Sequence, residues 1–417
     1  MIDFLLTAIK IIFLLGFLIL IHEGGHFIVA KLCKVKVNEF AIGFGPTIWR
    51  KQGKETKYAL RLIPLGGFVS MEGEDRYSEE KGSFSKTSIP KRIAIVLAGG
   101  TVNIVFGLLV YFALSGITGN YISQTIDQVN SSEITQLQSG DRILKINDKS
   151  IHLNSDIEIA LEKTEGAEAK ILLERNGENI EVYQKPIENK IRNIGIYFGT
   201  QGDELISEIM AIYPESPAEE VGLQTNDKIV EINGESTNND AYKAAELISN
   251  SSGKCNLLIE RNGELLKIEV EPQETIIYSL GVTMEGAENN LQNNIYYAFW
   301  DTTNFSLSII ENLKMLFTGK VSANQLMGPI GISEVVAETE GISDFVYLLA
   351  LISLSLGVTN LLPFPPLDGG KVVLLIIEGI RKKPLKENIE IGIQMTGFAL
   401  IIMLSIYVAY NDVLRVF

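Results

Sequence analysis

The residues best suited to chemistry form one short run, His22-Glu-Gly-Gly-His26. An H-E-x-x-H spacing on a helix puts both imidazoles on one face, a turn apart, where they can share one zinc ion. The glutamate between them can take a proton from water whose pKa a metal lowers to about 7. On a soluble helix the same spacing is also met as a pair of surface histidines. The surroundings argue otherwise, because the run directly continues the apolar stretch Ile11 to Ile21. Ionisable groups at membrane depth are costly unless paired or functional. The chain has only 3 histidines, and the one outside the motif, His152, reads as a surface or turn residue of a polar region.

A two-histidine zinc site needs a third protein ligand, with the fourth position open. The candidate is Asp368, in Asn360-Leu-Leu-Pro-Phe-Pro-Pro-Leu-Asp-Gly-Gly370 at the inner end of another apolar stretch. His22 lies about 20 residues into its own span, so both groups reach similar depth. Taken alone, Asp368 serves equally well as a helix cap or turn residue before Gly369-Gly370.

The elements that must position these groups are apolar helices. Four segments are long enough to cross a hydrocarbon core, which takes about 20 residues: Phe4 to Ala30, Ile93 to Ile117, Phe345 to Leu362 and Ile389 to Ala409. The first carries Asp3 rather than positive charge ahead of it and no A-x-A site, so it reads as a retained span rather than a signal peptide. Between the first two spans, residues 31 to 92 hold 13 basic and 7 acidic residues, which predicts a cytoplasmic loop. Arg381, Lys382, Lys383 and Lys386 put the connection between the last two spans on the same side. Both termini and the region 118 to 294 then face outward.

That outer region holds 31 acidic and 14 basic residues, more than the whole net charge of −15. Its acidity excludes a nucleic-acid partner, which needs clustered Lys and Arg. Cys33 and Cys255 fall on opposite sides of the membrane in this topology, so no disulfide framework is implied. The region is internally repeated. Asp141-Arg-Ile-Leu-Lys-Ile-Asn-Asp148 matches Asp227-Lys-Ile-Val-Glu-Ile-Asn-Gly234, and Glu174-Arg-Asn-Gly-Glu178 matches Glu260-Arg-Asn-Gly-Glu264, both 86 residues apart. Runs such as Ile143 to Ile146 and Leu257 to Ile259 predict short strands, Asn-Gly at 176 and 262 predicts hairpin turns, and Asp156 to Lys163 and Asp240 to Ser249 predict helices. The stretch Pro214-Glu-Ser-Pro-Ala-Glu-Glu-Val-Gly-Leu-Gln-Thr-Asn-Asp-Lys-Ile229 resembles a PDZ-domain pattern. Its first-copy equivalent, Asn130 to Ile143, keeps only Gly140-Asp141, so the first copy is the more degenerate.

Together these features resemble the site-2 protease family, in its bacterial, RseP-like subgroup with PDZ domains. The resemblance covers nearly the whole chain. It rests on His22 to His26, the N-x-x-P-x-P-x-L-D-G pattern from Asn360 to Gly369, Gly43-Phe-Gly45, Pro64-Leu-Gly-Gly67, Met327-Gly-Pro-Ile-Gly331 and the inserted PDZ copies. It implies a zinc endopeptidase in which one catalytic Zn2+ is held by His22, His26 and Asp368, with Glu23 as the base. It further implies substrates that are single-span membrane proteins, such as anti-sigma factors or signal-peptide remnants, cut within the membrane after a first extracytoplasmic cleavage. Asn360, Pro363, Pro365 and Asn103 are the residues it offers for positioning an unwound substrate. The loop Asn38 to Val69 resembles the family's membrane-reentrant hairpin, and a simple cytoplasmic hairpin fits the same residues. The family's A-G-P-x-x-N element is present as Ala98-Gly-Gly-Thr-Val-Asn103, with Gly100 in the proline position. Asn103 is equally readable as an interhelical hydrogen bond. Ile295 to Phe317 reads as an interfacial helix, with packing against the spans as its alternative.

The expected fold is therefore a polytopic α-helical protein of the cytoplasmic membrane, with four transmembrane helices and two small β-rich PDZ-like domains between the second and third. The expected ranges are 1–117 and 276–417 for the membrane halves, 118–192 for the first PDZ-like domain and 193–275 for the second, where peptide C-termini could bind. A non-catalytic PDZ scaffold and an intramembrane metal transporter are the other classes this sequence admits. The presence of a base between the histidines speaks against both.

Overall fold

The structure, a computed structural model, describes residues 2–74, 76–119, 121–134, 136–201, 204–213, 216–318, 328–339 and 341–416. Met327 of the Met327 to Gly331 element, and Pro214 and Glu215 of the second repeat, lie outside them. In chain order the elements begin with α1 (Ile2–Leu32), the strands β1 (Val37–Gln52) and β2 (Lys57–Met71), and α2 (Ile89–Thr118). The first repeat follows as β3 (Ile122–Val129), β4 (Arg142–Ile146), β5 (Lys149–Ser150), α3 (Asn154–Glu162), β6 (Ala169–Arg175) and β7 (Glu178–Gln184). β8 (Ile187–Asn193) leads into the second: β9 (Ile196–Gln201), β10 (Glu204–Ile212), α4 (Pro217–Glu220), β11 (Lys228–Ile232), β12 (Glu235–Ser236), α5 (Ala241–Ser249), β13 (Cys255–Arg261) and β14 (Glu264–Val270). After β15 (Gln273–Ser279) and β16 (Val282–Gly286) come α6 (Leu291–Phe317), α7 (Pro329–Glu338), α8 (Ile342–Asn360), α9 (Asp368–Arg381) and α10 (Glu387–Val416). The chain divides into two units, residues 1–121 with 288–417, and residues 122–287.

In the first unit, α1, α2, α8 and α10 are the helices long and apolar enough to cross a membrane among the described residues. They match the four expected spans. Without water to drive apolar helices together, close approach through small residues is what packs them. α2 crosses α8 this way: a Cβ on Gly100 would stand 2.9 Å from the Gly357 carbonyl oxygen, and one on Gly357 would stand 2.7 Å from that of Gly100. A proline in place of Gly100 would bring a ring into this crossing. α6 packs against α2 and α8, burying Tyr297 and Ala298, while Ile295, Phe299, Leu307 and Ile310 stay exposed.

The loop after α1 is a hairpin, as expected, but one that folds upon itself. Residues 39–42 of β1 pair both with 67–70 and with 57–60 of β2, while 47–52 face 57–61. Gly43 and Gly45, both at positive φ, allow the strand to bend where it changes partner. Lys57 and Arg61 both pair with Glu39, at 3.1 and 2.7 Å.

The second unit holds the two repeats as two sheets, β16-β3-β4-β6-β7 and β9-β10-β11-β13-β14. The 86-residue repeat reappears in the cores. Ile143, Ile146, Ile171 and Leu173 are fully buried in the first sheet, as are Ile229, Ile232, Leu257 and Ile259 in the second; each contributes roughly 1.5–3 kcal/mol by burial. The Asn-Gly turns form as expected, with φ of 52° and 82° at Asn176 and Gly177 and 53° and 81° at Asn262 and Gly263. These are the left-handed values a type I′ turn requires. The two helices lie within a few residues of expectation.

One boundary differs. The first sheet is completed by β16, which pairs with β3, and Leu280 joins its core. The second repeat is thus inserted into the first, bracketed by a β8–β15 ribbon, and the range 118–192 omits the first repeat's last strand. Sequence periodicity carries no signal for a pairing so distant in the chain.

The repeated Asp and Arg have a structural purpose. The fully buried Asp227 carboxylate accepts two bonds from Arg261, each at 2.6 Å, and one from the Gln224 amide at 2.9 Å. Asp141 does the same with Arg175, at 2.7 Å twice, and with the Gln138 amide at 2.8 Å. Removing the arginine strands the fully buried carboxylate, so Arg261→Ala is expected to destabilise its module by about 3–5 kcal/mol, read as a fall in the midpoint of urea unfolding of the full chain followed at Trp-independent probes placed in that module.

Candidate metal centre

α1 delivers His22, Glu23 and His26 from one face, and two glycines let α2 close upon them. A Cβ on Gly25 would stand 2.7 Å from the Ala98 carbonyl oxygen, and one on Gly99 would stand 2.4 Å from His26 Nε2 and 2.8 Å from His22 Cε1. Gly24 and Gly25 in the interior of α1 each cost it about 1 kcal/mol relative to Ala. Close contact with α2 is what that cost secures at Gly25.

Asp368 does not end the third span, as the sequence had suggested. α8 stops at Asn360, the chain turns through Leu361 to Leu367, and Asp368 opens the separate helix α9. Leu367 takes the N-cap position, and Asp368 is the first helical residue. The turn is tight because Gly369 and Gly370 face backbone: a Cβ on either would come within 2.2 Å of the Leu362 carbonyl oxygen or 2.6 Å of the Pro365 nitrogen. α9 is fixed to α2 by Arg92, which donates to both carboxylate oxygens of Glu378, one bond measuring 3.1 Å.

These supports bring three ligand atoms together. His22 Nε2 and His26 Nε2 are 3.3 Å apart, and Asp368 Oδ2 is 3.3 Å from the first and 3.2 Å from the second. A tetrahedral zinc site with bonds of about 2.0–2.1 Å spaces its ligand atoms by about 3.3 Å. Asp368 Oδ2 is moreover buried without a hydrogen-bond donor, an orphan that a cation satisfies. Burial acts to raise the Asp368 pKa, but the two imidazoles beside it outweigh that and hold the carboxyl below the ordinary carboxylate range. His26 Nδ1 donates to the Ile95 carbonyl at 2.8 Å, which leaves its Nε2 lone pair facing inward.

A cavity of about 390 Å³ opens at this cluster, lined by His22, Glu23, His26 and Asp368 on one side and by Phe68 to Met71 of β2 on the other. A Cβ on Gly67 would stand 3.1 Å from Glu23 Cγ, so the end of β2 runs directly past the candidate base. Sequence reasoning missed two further lining residues, Lys371 and Glu74, whose side chains pair at 3.2 Å. Lys371 lies one turn after Asp368, and that spacing was the available signal. Asn103 sits behind the cluster, its Nδ2 at 3.4 Å from His22 Nδ1. Asn360, Pro363 and Pro365 are not among the cavity's lining residues.

Membrane-length helices that gather an H-E-x-x-H pair and a carboxylate at one cavity define a membrane-embedded metalloprotease. The chain belongs to peptidase family M50, the site-2 proteases, whose family model matches residues 10–404. It is 31% identical to the probable protease Eep of Enterococcus faecalis, over 99% of both chains. It is 30% identical to the zinc metalloprotease RasP of Shouchella clausii, again over 99% of each. To the regulator of sigma E protease of Haemophilus influenzae it is 28% identical, over 99% of this chain and 100% of that one. It is a zinc metalloprotease of the multi-pass membrane type, with two β-rich repeats between its second and third spans.

Proposed function

We propose that the protein hydrolyses transmembrane segments of single-span proteins of the bacterial cytoplasmic membrane, with His22, His26 and Asp368 holding one zinc ion and Glu23 serving as general base. The observation that carries this reading is the triangle of ligand atoms 3.2–3.3 Å apart, set where a span meets the free edge of a β-strand. Zinc held there supplies Lewis acidity toward the scissile carbonyl and lowers the pKa of water.

The chain's own residues do the rest. A helical substrate hides its carbonyls in hydrogen bonds and must be extended before attack. Residues 67–71 pair with 37–42 on one edge only, and Phe68 to Met71 face the cavity on the other. An unwound substrate strand adds to that edge, its main chain held by β-augmentation beside Glu23. Glu23 removes a proton from the attacking water and returns it to the leaving amine.

Lys and Arg bias sets the active site toward the cytoplasm and the termini and PDZ copies outward. There the second copy offers a site for peptide C-termini, and the pair acts as a size gate that admits substrates after a first outer cleavage. The reading is tested with the full chain and a tagged single-span substrate in liposomes. Stripping metal with a chelator is expected to abolish cleavage, and one equivalent of zinc to restore it. Cleavage that persists in protein shown to be free of metal would overturn the proposal.

A further inference from the structure

An imidazole that ligates through Nε2 must carry its proton on Nδ1, and that proton needs an acceptor. His26 has one in the Ile95 carbonyl at 2.8 Å. His22 faces a different group: its Nδ1 is 3.4 Å from Asn103 Nδ2. An amide NH2 only donates, so in this orientation His22 Nδ1 must accept. The proton would then sit on Nε2, the atom 3.3 Å from both His26 Nε2 and Asp368 Oδ2. Meanwhile Asn103 Oδ1, the acceptor of the same amide, is buried without a partner.

The oxygen and nitrogen of an asparagine amide exchange places on a half-turn of the side chain, and which is which is assigned from the hydrogen bonds they can make. The half-turn sets Oδ1 against His22 Nδ1 and frees the inward lone pair of Nε2. We infer that Asn103 is a positioning residue for the metal centre, accepting the Nδ1 proton of His22 through Oδ1 and so fixing the tautomer that can bind zinc. This rests on the proposed ligand role of His22. The location suits the task. Asn103 is fully buried, its carbonyl accepts from Ser353 Oγ at 2.9 Å, and the glycine crossing of α2 and α8 one turn earlier leaves the backbone no room to shift. Ile95 and Asn103 thus lie two turns apart on α2, one acceptor behind each histidine.

The test measures zinc affinity of the full chain in detergent, by competition with a chelating indicator and without substrate. Asn103→Leu removes the acceptor at similar volume and is expected to weaken zinc about 10- to 100-fold. Asn103→Asp keeps an acceptor and is expected to bind zinc no more weakly than the parent. A packing role predicts the reverse order, since leucine suits a buried helix face and a carboxylate does not. Thermal unfolding of the metal-free variants checks that each is folded. Parent-like affinity in Asn103→Leu, or equal losses in the two variants, would overturn the inference. His22→Ala separates the levels: if it leaves zinc affinity unchanged, the ligand assignment itself fails. If it abolishes binding while Asn103→Leu is silent, only the role of Asn103 fails.

Discussion

Glu23→Gln is expected to lower the rate of substrate cleavage by about 10²- to 10⁴-fold, the range a positioned general base contributes, while zinc content stays at the parent level. Glutamine matches glutamate in size and in hydrogen-bonding reach, so it preserves the contact with Gly67, whose Cβ position is 3.1 Å from Glu23 Cγ. What it lacks is the ability to accept a proton. The proposed ligand atoms come from His22, His26 and Asp368, and none from Glu23, so metal retention and activity should separate cleanly. The measurement is single-turnover cleavage of a tagged single-span protein in liposomes, with zinc determined on the same preparation. Cleavage at the parent rate would sink the assignment of Glu23 as the base, and loss of zinc along with activity would mean that Glu23 helps hold the metal.

The sequence announced the parts of the site whose chemistry is local. His22, Glu23 and His26 are legible because a helical turn converts their spacing into a shared face. The spans are legible because a hydrocarbon core demands about 20 apolar residues whatever the partner. The Asn-Gly turns and the repeated Asp and Arg are legible for similar reasons, since a left-handed turn and a buried ion pair each restrict residue type at one position.

What escaped was a local break read too late and a set of contacts between distant segments. Leu361 and Leu362 extend the apolar run of α8, yet the backbone leaves the helix after Asn360, because Pro363, Pro365 and Pro366 cannot continue an i to i−4 ladder. That break makes α9 a separate helix and turns Asp368 into the residue that opens it. α7 and α9, of 10 and 14 residues, are too short to be seen as spans. The return of β16 to the first repeat, the Lys371–Glu74 pair across the cavity, and Asn103 behind His22 are all contacts between distant segments, and a single sequence carries no record of them.

Asp368 is where the two readings of the sequence part, as ligand or as helix cap, and one substitution decides between them. Asn caps helices as well as Asp does, so a capping role makes Asp368→Asn silent. A ligand role does not, because a neutral amide is a poor zinc ligand. Structural zinc sites bind with about 10–16 kcal/mol in all; spread over four ligands, the loss of one carboxylate corresponds to roughly 2.5–4 kcal/mol, or about 10²- to 10³-fold in affinity. Asp368→Asn is therefore expected to lose zinc on dilution into a buffered-zinc series and to lose cleavage with it. Its fold should persist, since α9 stays tied to α2 by Arg92 and Glu378 and Leu367, not Asp368, holds the N-cap position. Restoring zinc to a large excess should bring back part of the activity, because the two histidines and Glu23 are untouched. A variant that binds zinc like the parent would return Asp368 to the class of turn residues and leave the third ligand to be sought elsewhere along the cavity, which Glu74, paired with Lys371, also lines.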